Sequence, residues 1–436
     1  MTRFKIKNLQ EWKSSSYRKP LIVRGARQVG KTWLVRKFGK EFKSFVEINF
    51  EREPELKEIF SRGLKPQRII KELSAVVGTM IKPGETLLFF DEIQDALNAL
   101  KSLRYFYEEM PDLHLIAAGS LLGFSLDKVP TGVGRISYLN MYPMSFGEFL
   151  IASGNELMRE SIFSQEKDEP LPEVLHKKLI DLTRIYFLIG GMPAVVEAYI
   201  STGDFLLCQK IQSDIINSFV DDFVKYSKEN EISHLDRVFT SIPAQLGNKY
   251  IYNKVDKNIR SVHFSKALGL LETAGLVYKI YHSKADGCPL NARINTSIFK
   301  VVLFDTGLLQ SMLNVDLKLW MTDVDLSAVN KGDIAEQFVA QELAFYTEAG
   351  KFSNLYYWQR EKRGSSAEID YIIDLKGQVV PVEVKANTQG GMKSMHLFLK
   401  EKKLSHGLKI SKYPFSFANN IQTIPFYGIE KIFKNY

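Results

Sequence analysis

The segment GARQVGKT, residues 25–32, limits the possible folds of this chain more than any other feature. The residues before it, PLIVRG, have the composition of a short buried strand, and TWLVRKFGKEF after it has the apolar spacing of a helix. In that strand–loop–helix context, the pattern G-x-x-x-x-G-K-[ST] predicts a loop whose backbone N–H groups surround phosphate. The predicted contacts come from eight consecutive residues: Gly25, Ala26, Arg27, Gln28, Val29, Gly30, Lys31 and Thr32.

A second motif supplies the acids that this phosphate chemistry needs. In LLFFDE, residues 87–92, four apolar residues of a buried strand end in Asp91 and Glu92. We expect Lys31 to reach the β- and γ-phosphates of ATP, and Thr32 and Asp91 to hold Mg²⁺. Glu92 is the candidate base that activates a water. The alternative is an ordinary strand that ends in a polar turn.

Strand and helix patterns alternate through the first third of the chain. Apolar runs such as SFVEINF, TLLFFDEI and HLIAAGS favour strands buried on both faces of a parallel sheet. The predicted class is therefore α/β. From about Ser145 the pattern becomes helical.

Charge and cysteine content limit the possible partners and compartment. The net charge is +8, but residues 1–40 contain twelve Lys or Arg against one Glu, and residues 390–436 contain eight Lys against two Glu. Two basic ends suit a protein that meets phosphate. Cys208 and Cys288 are too few for a disulfide framework, and no apolar run is long enough to span a bilayer. We expect a cytoplasmic protein without a membrane partner.

Several blocks of the chain resemble the AAA-type ATPases, specifically a prokaryotic group whose ATPase domain precedes domain of unknown function 4143. These blocks are GARQVGKT, INFER, LLFFDEIQ, LIAAGS, GRISYLNMYPMSFGEFL and YFLIGGMP. The resemblance implies that Ser120 senses the γ-phosphate and that Arg135 approaches nucleotide, in its own chain or in a neighbour within a homo-oligomer. The alternatives are a turn serine and an arginine paired with an acid of its own domain.

Residues 234–283 resemble a winged helix-turn-helix. Ser261 to Ala274 has a Ser at its start, apolar residues at helical spacing and Gly275 at its end, and LVYKIYHS follows as a candidate wing strand. The exposed face of the helix would offer three residues to a DNA groove: Arg260, His263 and Lys266. Such modules also serve as packing units.

Two apolar runs joined by DLKG occupy residues 367–386, AEIDYIIDLKGQVVPVEVKA. Glu383 and Lys385 are two residues apart, so they share one face of a strand, and the turn brings Asp370 beside them. Glu336 flanks the apolar stripe of the helical segment KGDIAEQFVAQELAFY. The alternative is a hairpin with charges on its solvent-facing side.

This spacing resembles the PD-(D/E)xK nuclease core, with Ile369 where that motif has Pro. The resemblance implies that Glu336, Asp370 and Glu383 hold Mg²⁺, and that Lys385 positions the water or neutralises the transition state. DNA is the implied partner.

Together these patterns predict four domains: a P-loop AAA-type ATPase with a parallel sheet (1–145), a helical lid (146–230), a winged helix (231–290) and a PD-(D/E)xK-like α/β domain (291–436). Two functions remain open. One is an ATP-dependent enzyme that cuts nucleic acid, and the other is a nucleotide-controlled switch whose C-terminal fold binds DNA or protein without cleavage.

Overall fold

The computed structural model describes residues 2–119, 134–166, 169–226, 229–315, 331–347, 355–362, 364–386 and 391–435. They form two compact units. The first unit comprises residues 2–142 and 273–275, and the second comprises 143–272 and the chain from 276 onward. Among the described residues, no helix has the length and apolarity needed to cross a membrane.

The first unit is built on a five-stranded parallel sheet, which confirms the predicted P-loop type of α/β fold. Its strands are β1 (Leu21–Arg24), β2 (Ser44–Asn49), β3 (Thr86–Asp91), β4 (His114–Gly119) and β5 (Ser137–Asn140), in the spatial order β2-β3-β4-β1-β5. Its helices are α1 (Ile6–Ser14), α2 (Lys31–Gly39), α3 (Lys57–Ser61), α4 (Pro66–Val77) and α5 (Leu97–Glu109).

Aromatic packing on one face of this sheet explains the apolar run before Asp91. Every residue of β3 and β4 is buried, as expected for strands covered on both faces. Phe90 meets the rings of Phe50 and Phe60 with centroid distances of 5.6 Å, and the Phe60 ring stands edge-on to it. The sheet therefore fixes the C-terminal ends of β1 and β3. The segment 25–32 follows the end of β1, and Asp91 and Glu92 stand at the end of β3.

The second unit contains an eight-stranded mixed sheet in the order β12-β13-β11-β10-β9-β8-β6-β7. Its strands are β6 (Val277–Ser283), β7 (Ile294–Leu303), β8 (Leu355–Gln359), β9 (Glu368–Leu375), β10 (Gln378–Lys385), β11 (Gly407–Ser411), β12 (Ser416–Ala418) and β13 (Ile421–Pro425). The β6–β7 hairpin thus lies at one edge of the sheet that also contains the β9–β10 hairpin.

Helices make up the rest of the second unit. They are α6 (Phe146–Ala152), α7 (Glu156–Ser164), α8 (Glu173–Ile189), α9 (Pro193–Thr202), α10 (Phe205–Tyr226), α11 (Glu229–Ser241), α12 (Ser261–Thr273), α13 (Thr306–Met312), α14 (Lys331–Tyr346), α15 (Lys393–Lys402) and α16 (Ile429–Asn435). Ser145 caps α6 and exchanges hydrogen bonds with Glu148 in a capping box.

The buried carboxylate of Asp305 joins the α8–α9 turn to the start of α13. It accepts hydrogen bonds from the N–H of Leu308 at 3.0 Å and of Gly191 at 2.7 Å. A Cβ on Gly190 would lie 2.2 Å from the Asp305 carboxylate, so only glycine fits there. Burial raises the pKa of Asp305 to about 6, and the backbone N–H groups oppose that shift.

Long polar side chains on α14 extend the same network. Gln337 accepts a hydrogen bond from the Leu303 N–H at 2.9 Å and donates one to the Leu303 carbonyl at 2.5 Å. Glu342 accepts from the Phe146 N–H at 2.9 Å. Because these backbone groups are buried, each needs such a partner. The helix α14 is therefore fixed both to β7 and to α6.

We predict that Asp305→Ala lowers the free energy of unfolding of the second unit by about 3 kcal/mol, because two buried N–H groups lose their acceptor. The matched control is Asp204→Ala, because Asp204 also accepts hydrogen bonds at a helix N-terminus, from Leu206 and Leu207, but is exposed. It should cost about 1 kcal/mol. Urea unfolding would measure both, and equal losses would contradict the prediction.

Candidate functional site

Residues 25–30 form a loop between β1 and α2 whose backbone requires glycine, and Lys31 and Thr32 begin α2. Gly30 has φ +92° and Gln28 has φ +64°, both in the left-handed region. Gly25 has φ +147°, and a Cβ there would lie 2.2 Å from the Met141 carbonyl oxygen. Gly30 immediately precedes α2, so the loop places the helix N-terminus at the phosphate position.

The side chain of Lys31 lies inside this loop. Its Nζ donates to the carbonyl oxygens of Gly25 at 2.9 Å and Ala26 at 2.8 Å, and the residue is only 8% exposed. Burial lowers the pKa of Lys31 to about 8, although the nearby carboxylates of Glu92 and Asp91 oppose the shift. The loop is thus formed around an ammonium group that is already directed inward.

Thr32 and Asp91 meet across the carboxyl ends of the strands. The Thr32 hydroxyl lies 3.1 and 3.2 Å from the two Asp91 carboxylate oxygens, and the Asn49 amide donates to Asp91 at 3.2 Å. Burial, followed by the charge of Glu92, raises the pKa of Asp91 to about 6. A hydroxyl and a carboxylate at this spacing are hard oxygen ligands of the kind that Mg²⁺ prefers.

Glu92 begins a left-handed turn directly after β3, with φ +49°. Gln94 donates to its carboxylate at 2.6 Å. This bond orients the carboxylate of the candidate base. Asn49 and Gln94 were not predicted to take part in this site, although both belong to conspicuous sequence blocks, INFER and LLFFDEIQ.

Two further residues, Ser120 and Arg135, were predicted to contact nucleotide. Ser120 lies outside the described residues. Arg135 lies between Gly134 and β5, and its guanidinium forms an ion pair with Glu108 on α5 of its own unit. Its role toward a neighbouring chain stays a prediction.

The helix α12 buries Phe264, Leu268 and Leu271, and the predicted trio Arg260, His263 and Lys266 is exposed. His263 stacks on His234 of α11 with ring centroids 5.1 Å apart.

The β9–β10 hairpin brings together three of the predicted nuclease-type residues. Its turn is Lys376-Gly377, where both residues have positive φ, as in a type I′ hairpin. The Val384 N–H donates to Asp370 at 2.8 Å, and the Lys385 ammonium lies 2.6 Å from Glu383. Asp370 and the Glu383–Lys385 pair are therefore neighbours on adjacent strands.

The helix α14 brings Glu336 to the same region. The hydroxyl of Tyr371, on β9, donates to the Glu336 carbonyl oxygen at 2.8 Å. Burial raises the pKa of Glu336 well above its usual value, and Asp370 contributes to that shift. The contact with Tyr371 and the effect of the Asp370 charge on that pKa together indicate that the helix and the hairpin contribute to one acidic centre.

Two further residues, Lys300 and Glu368, belong to this centre and were not predicted. The Lys300 ammonium lies 2.5 Å from Glu368 and 3.8 Å from Glu336, and it sits 5.3 Å from the centroid of the Tyr357 ring. The Lys300 side chain is 5% exposed. A single lysine within the apolar strand sequence IFKVVLF was the available signal, because such a lysine needs a buried partner.

The pKa shifts show how burial and mutual repulsion act on these groups. Burial raises the pKa of Asp370, although Lys300 opposes that shift. Burial, followed by the charge of Asp370, raises the pKa of Glu383 to about 7. Burial alone would lower the pKa of Lys300, but the three carboxylates of Glu336, Glu368 and Asp370 raise it above its usual value.

The donor set suits a hard cation, but the carboxylates are not gathered around one point. In the part of the chain that the structure describes, no three His, Cys, Asp or Glu side chains form a metal-ligating group. One carboxylate oxygen of Glu383 is nevertheless buried without a hydrogen-bond partner. An acceptor of this kind, beside Asp370, can bind a cation directly.

Comparisons with solved structures give distant similarities. The chain is similar to a Walker-type ATPase of Pyrococcus abyssi, with 17% identity, 71% of this chain and 94% of that chain covered, and a TM-score of 0.46. It is similar to the Aeropyrum pernix ORC1 protein in complex with DNA, with 12% identity, 72% and 93% covered, and a TM-score of 0.30. It is also similar to Thermotoga maritima RuvB, with 15% identity, 63% of this chain and 87% of that chain covered, and a TM-score of 0.26. We found no significant match among curated protein sequences.

Sequence-family profiles give the domain composition. The profile described as AAA domain matches residues 17–150, domain of unknown function DUF8612 matches 180–319, and domain of unknown function DUF4143 matches 331–427. The AAA match contains the whole phosphate loop and both acids of β3, and the DUF4143 match contains the β9–β10 hairpin. These matches confirm the predicted resemblance: an N-terminal AAA domain of the P-loop ATPase type is joined to a C-terminal DUF4143 domain in this chain.

Proposed function

We propose that this protein hydrolyses ATP with Mg²⁺ and that its C-terminal domain is a metal-dependent nuclease that acts on DNA. The observation that carries the ATPase proposal is the meeting of Lys31, Thr32 and Asp91 at the ends of β1 and β3. The nuclease proposal depends on the convergence of Glu336, Asp370 and the Glu383–Lys385 pair.

In the ATPase, Lys31 would exchange its two loop carbonyls for phosphate oxygens. Because its ammonium already points into the loop, this exchange needs little reorganisation. Thr32 and Asp91 would hold Mg²⁺, which neutralises phosphate charge when bound. Glu92, held by Gln94, would accept a proton from the attacking water. We keep Ser120 and Arg135 as the proposed γ-phosphate sensor and the arginine offered to a neighbour in a homo-oligomer.

In the C-terminal domain, the carboxylates of Asp370 and Glu383 would hold Mg²⁺, with Glu336 beside them. That ion would supply Lewis-acid activation of water. Lys385 is 24% exposed, so its ammonium could reach both Glu383 and a phosphate entering from solvent. It would neutralise negative charge that develops on the scissile phosphate.

We also propose that residues 231–290 form a winged helix, which β7 follows. The order of the elements along the chain supports this proposal. After α11, Lys249 forms a β-bridge with Lys300 of β7, and α12 and the β6–β7 hairpin follow. In this arrangement α12 is the recognition helix, and Arg260, His263 and Lys266 contact DNA. We retain the four predicted domain ranges as a proposal. We also propose a cytoplasmic location, which suits the free thiols of Cys208 and Cys288.

A second candidate is a nucleotide-controlled switch whose C-terminal domain binds DNA or protein without cutting it. The position of Lys300 favours it, because an ammonium group already neutralises part of the acidic centre. The lack of a three-ligand group among the described residues favours it too.

We predict that Glu92→Gln lowers the ATP turnover rate by about 100-fold or more, because it removes the general base but keeps the hydrogen-bonding shape. Lys31→Ala should abolish nucleotide binding as well. Lys37→Ala is the matched control, because Lys37 is an exposed lysine of the same helix, and it should turn over ATP like the parent. Phosphate release and fluorescent-nucleotide binding would measure these effects. Full turnover by Lys31→Ala would refute the assignment.

We predict that affinity for MgATP falls about tenfold per pH unit above about pH 8, because only the protonated form of Lys31 binds phosphate and its pKa is lowered to about 8. In Lys31→Arg, binding should be weaker but nearly independent of pH, since guanidinium stays charged. Equilibrium titrations from about pH 7 to about pH 9 would test this. An equally steep fall in Lys31→Arg would show that another group is responsible.

We predict that the parent cuts plasmid or linear DNA with Mg²⁺ or Mn²⁺, and that Lys385→Ala lowers the rate by about 100-fold or more, because transition-state charge is left unbalanced. Lys376→Ala, an exposed lysine in the turn of the same hairpin, should cut normally. Gel assays with and without ATP would measure cleavage. If the parent binds DNA but leaves it intact with either metal, the switch is the better description.

A further inference from the structure

The acidic centre contains more negative than positive charge. It contains four acids (Glu336, Glu368, Asp370 and Glu383) and two lysines. Lys300 pairs with Glu336 and Glu368, Lys385 pairs with Glu383, and the charges of both lysines act on Asp370. With every group ionised, two negative charges remain. At the margin, Asp333 and Lys409 add one charge of each sign. Buried charge of this size is compensated either by protons, as the raised pKa values of Glu336, Asp370 and Glu383 indicate, or by a cation, and one divalent cation supplies the compensation in full.

The two lysines lie at different depths. Lys385 contacts Glu383 and is partly open to solvent, whereas Lys300 is almost completely buried. Lys300 comes from β7, which in the sheet order is three strands away from β9, yet its ammonium reaches Glu368. The ammonium group of Lys300 lies 2.5 Å from Glu368 and 3.8 Å from Glu336.

Glu336 and Glu368 would otherwise be available as ligands. Two carboxylates beside one cation are a common arrangement around a metal ion, and here the cation is an ammonium group, 2.5 Å from Glu368 and 3.8 Å from Glu336. The aromatic face of Tyr357 adds a third favourable contact with that charge. The Asp370–Glu383 side, by contrast, retains a buried carboxylate oxygen with no partner.

We propose that Lys300 is a built-in cation that takes the place of a second metal ion, so that the acidic centre binds one divalent cation, on its Asp370–Glu383 side. This inference rests on the proposed metal site of the C-terminal domain. It assigns Lys300 a positioning role: the lysine keeps Glu336 and Glu368 apart from the bound ion and leaves a single ion to meet the phosphate.

The test is to count Mn²⁺ ions bound by the full-length protein, using isothermal titration calorimetry and Mn²⁺ electron paramagnetic resonance. All proteins would carry Asp91→Asn, which removes the carboxylate proposed to hold metal at the phosphate loop. The parent should bind one ion per chain with saturation. Lys300→Met should bind two, because Glu336 and Glu368 lose their internal cation.

Lys279→Met is the matched control. Lys279 is also a mostly buried lysine, on the neighbouring strand β6, and it pairs with Glu272 at 2.7 Å away from the acidic centre. This variant should bind one ion, with the affinity of the parent. If Lys300→Met fails to fold, as judged by circular dichroism, Lys300→Gln keeps a hydrogen-bond donor for Glu368 without the charge and should also bind two ions.

Each outcome separates this inference from the function on which it rests. Two ions bound by the parent, or one ion bound by the folded Lys300 variant, would overturn the role of Lys300. The absence of saturable Mn²⁺ binding by the parent would overturn both the metal site and the role of Lys300. One ion bound by the parent and two by the variant, without any DNA cleavage, would support the inference and reject only the nuclease.

Discussion

The second unit depends on one buried carboxylate, that of Asp305. It caps α13 and accepts the Gly191 N–H, so the α8–α9 turn and the start of α13 share one acceptor. This contact explains why the quoted block YFLIGGMP contains two adjacent glycines. A Cβ on Gly190 would strike Asp305, and one on Gly191 would lie 2.1 Å from the Met144 carbonyl oxygen. The helices after residue 145 are therefore fixed to the C-terminal sheet by buried polar groups that hydrogen-bond one another.

Both candidate sites combine buried acids with a buried lysine. At the phosphate loop, Lys31 lies close enough to Asp91 and Glu92 for their charges to oppose the loss of its proton. In the acidic centre, Lys300 has the same relation to Glu336 and Glu368. In each case the charges of nearby carboxylates raise the pKa of a buried ammonium group and oppose the effect of burial. The two lysines differ in the groups that bind them. Lys31 donates hydrogen bonds to carbonyl oxygens of its loop, whereas Lys300 pairs with carboxylates.

The first unit was predictable because its signals are local. Four apolar residues before Asp91, and glycines in a strand–loop–helix context, identify buried parallel strands and the loop between them, and the five-stranded parallel sheet agrees. The β9–β10 hairpin was also predictable. The segment DLKG specifies a tight turn, and the alternation of side chains along a strand determines which residues share a face. Lys300 and Glu368 were not predicted, because their pairing joins strands about 70 residues apart whose order in the sheet no local pattern specifies.

The sequence by itself determined the phosphate loop, the acids at the end of β3 and the relative positions of Asp370, Glu383 and Lys385. These features follow from dihedral preferences, strand periodicity and residue chemistry within short segments. Only the tertiary structure decided that the β6–β7 hairpin extends the C-terminal sheet, and that α14 crosses it with Glu336 beside Lys300. The reason is physical: contacts between distant segments are selected by the burial of whole faces and the pairing of buried charges, which depend on all the packed elements together.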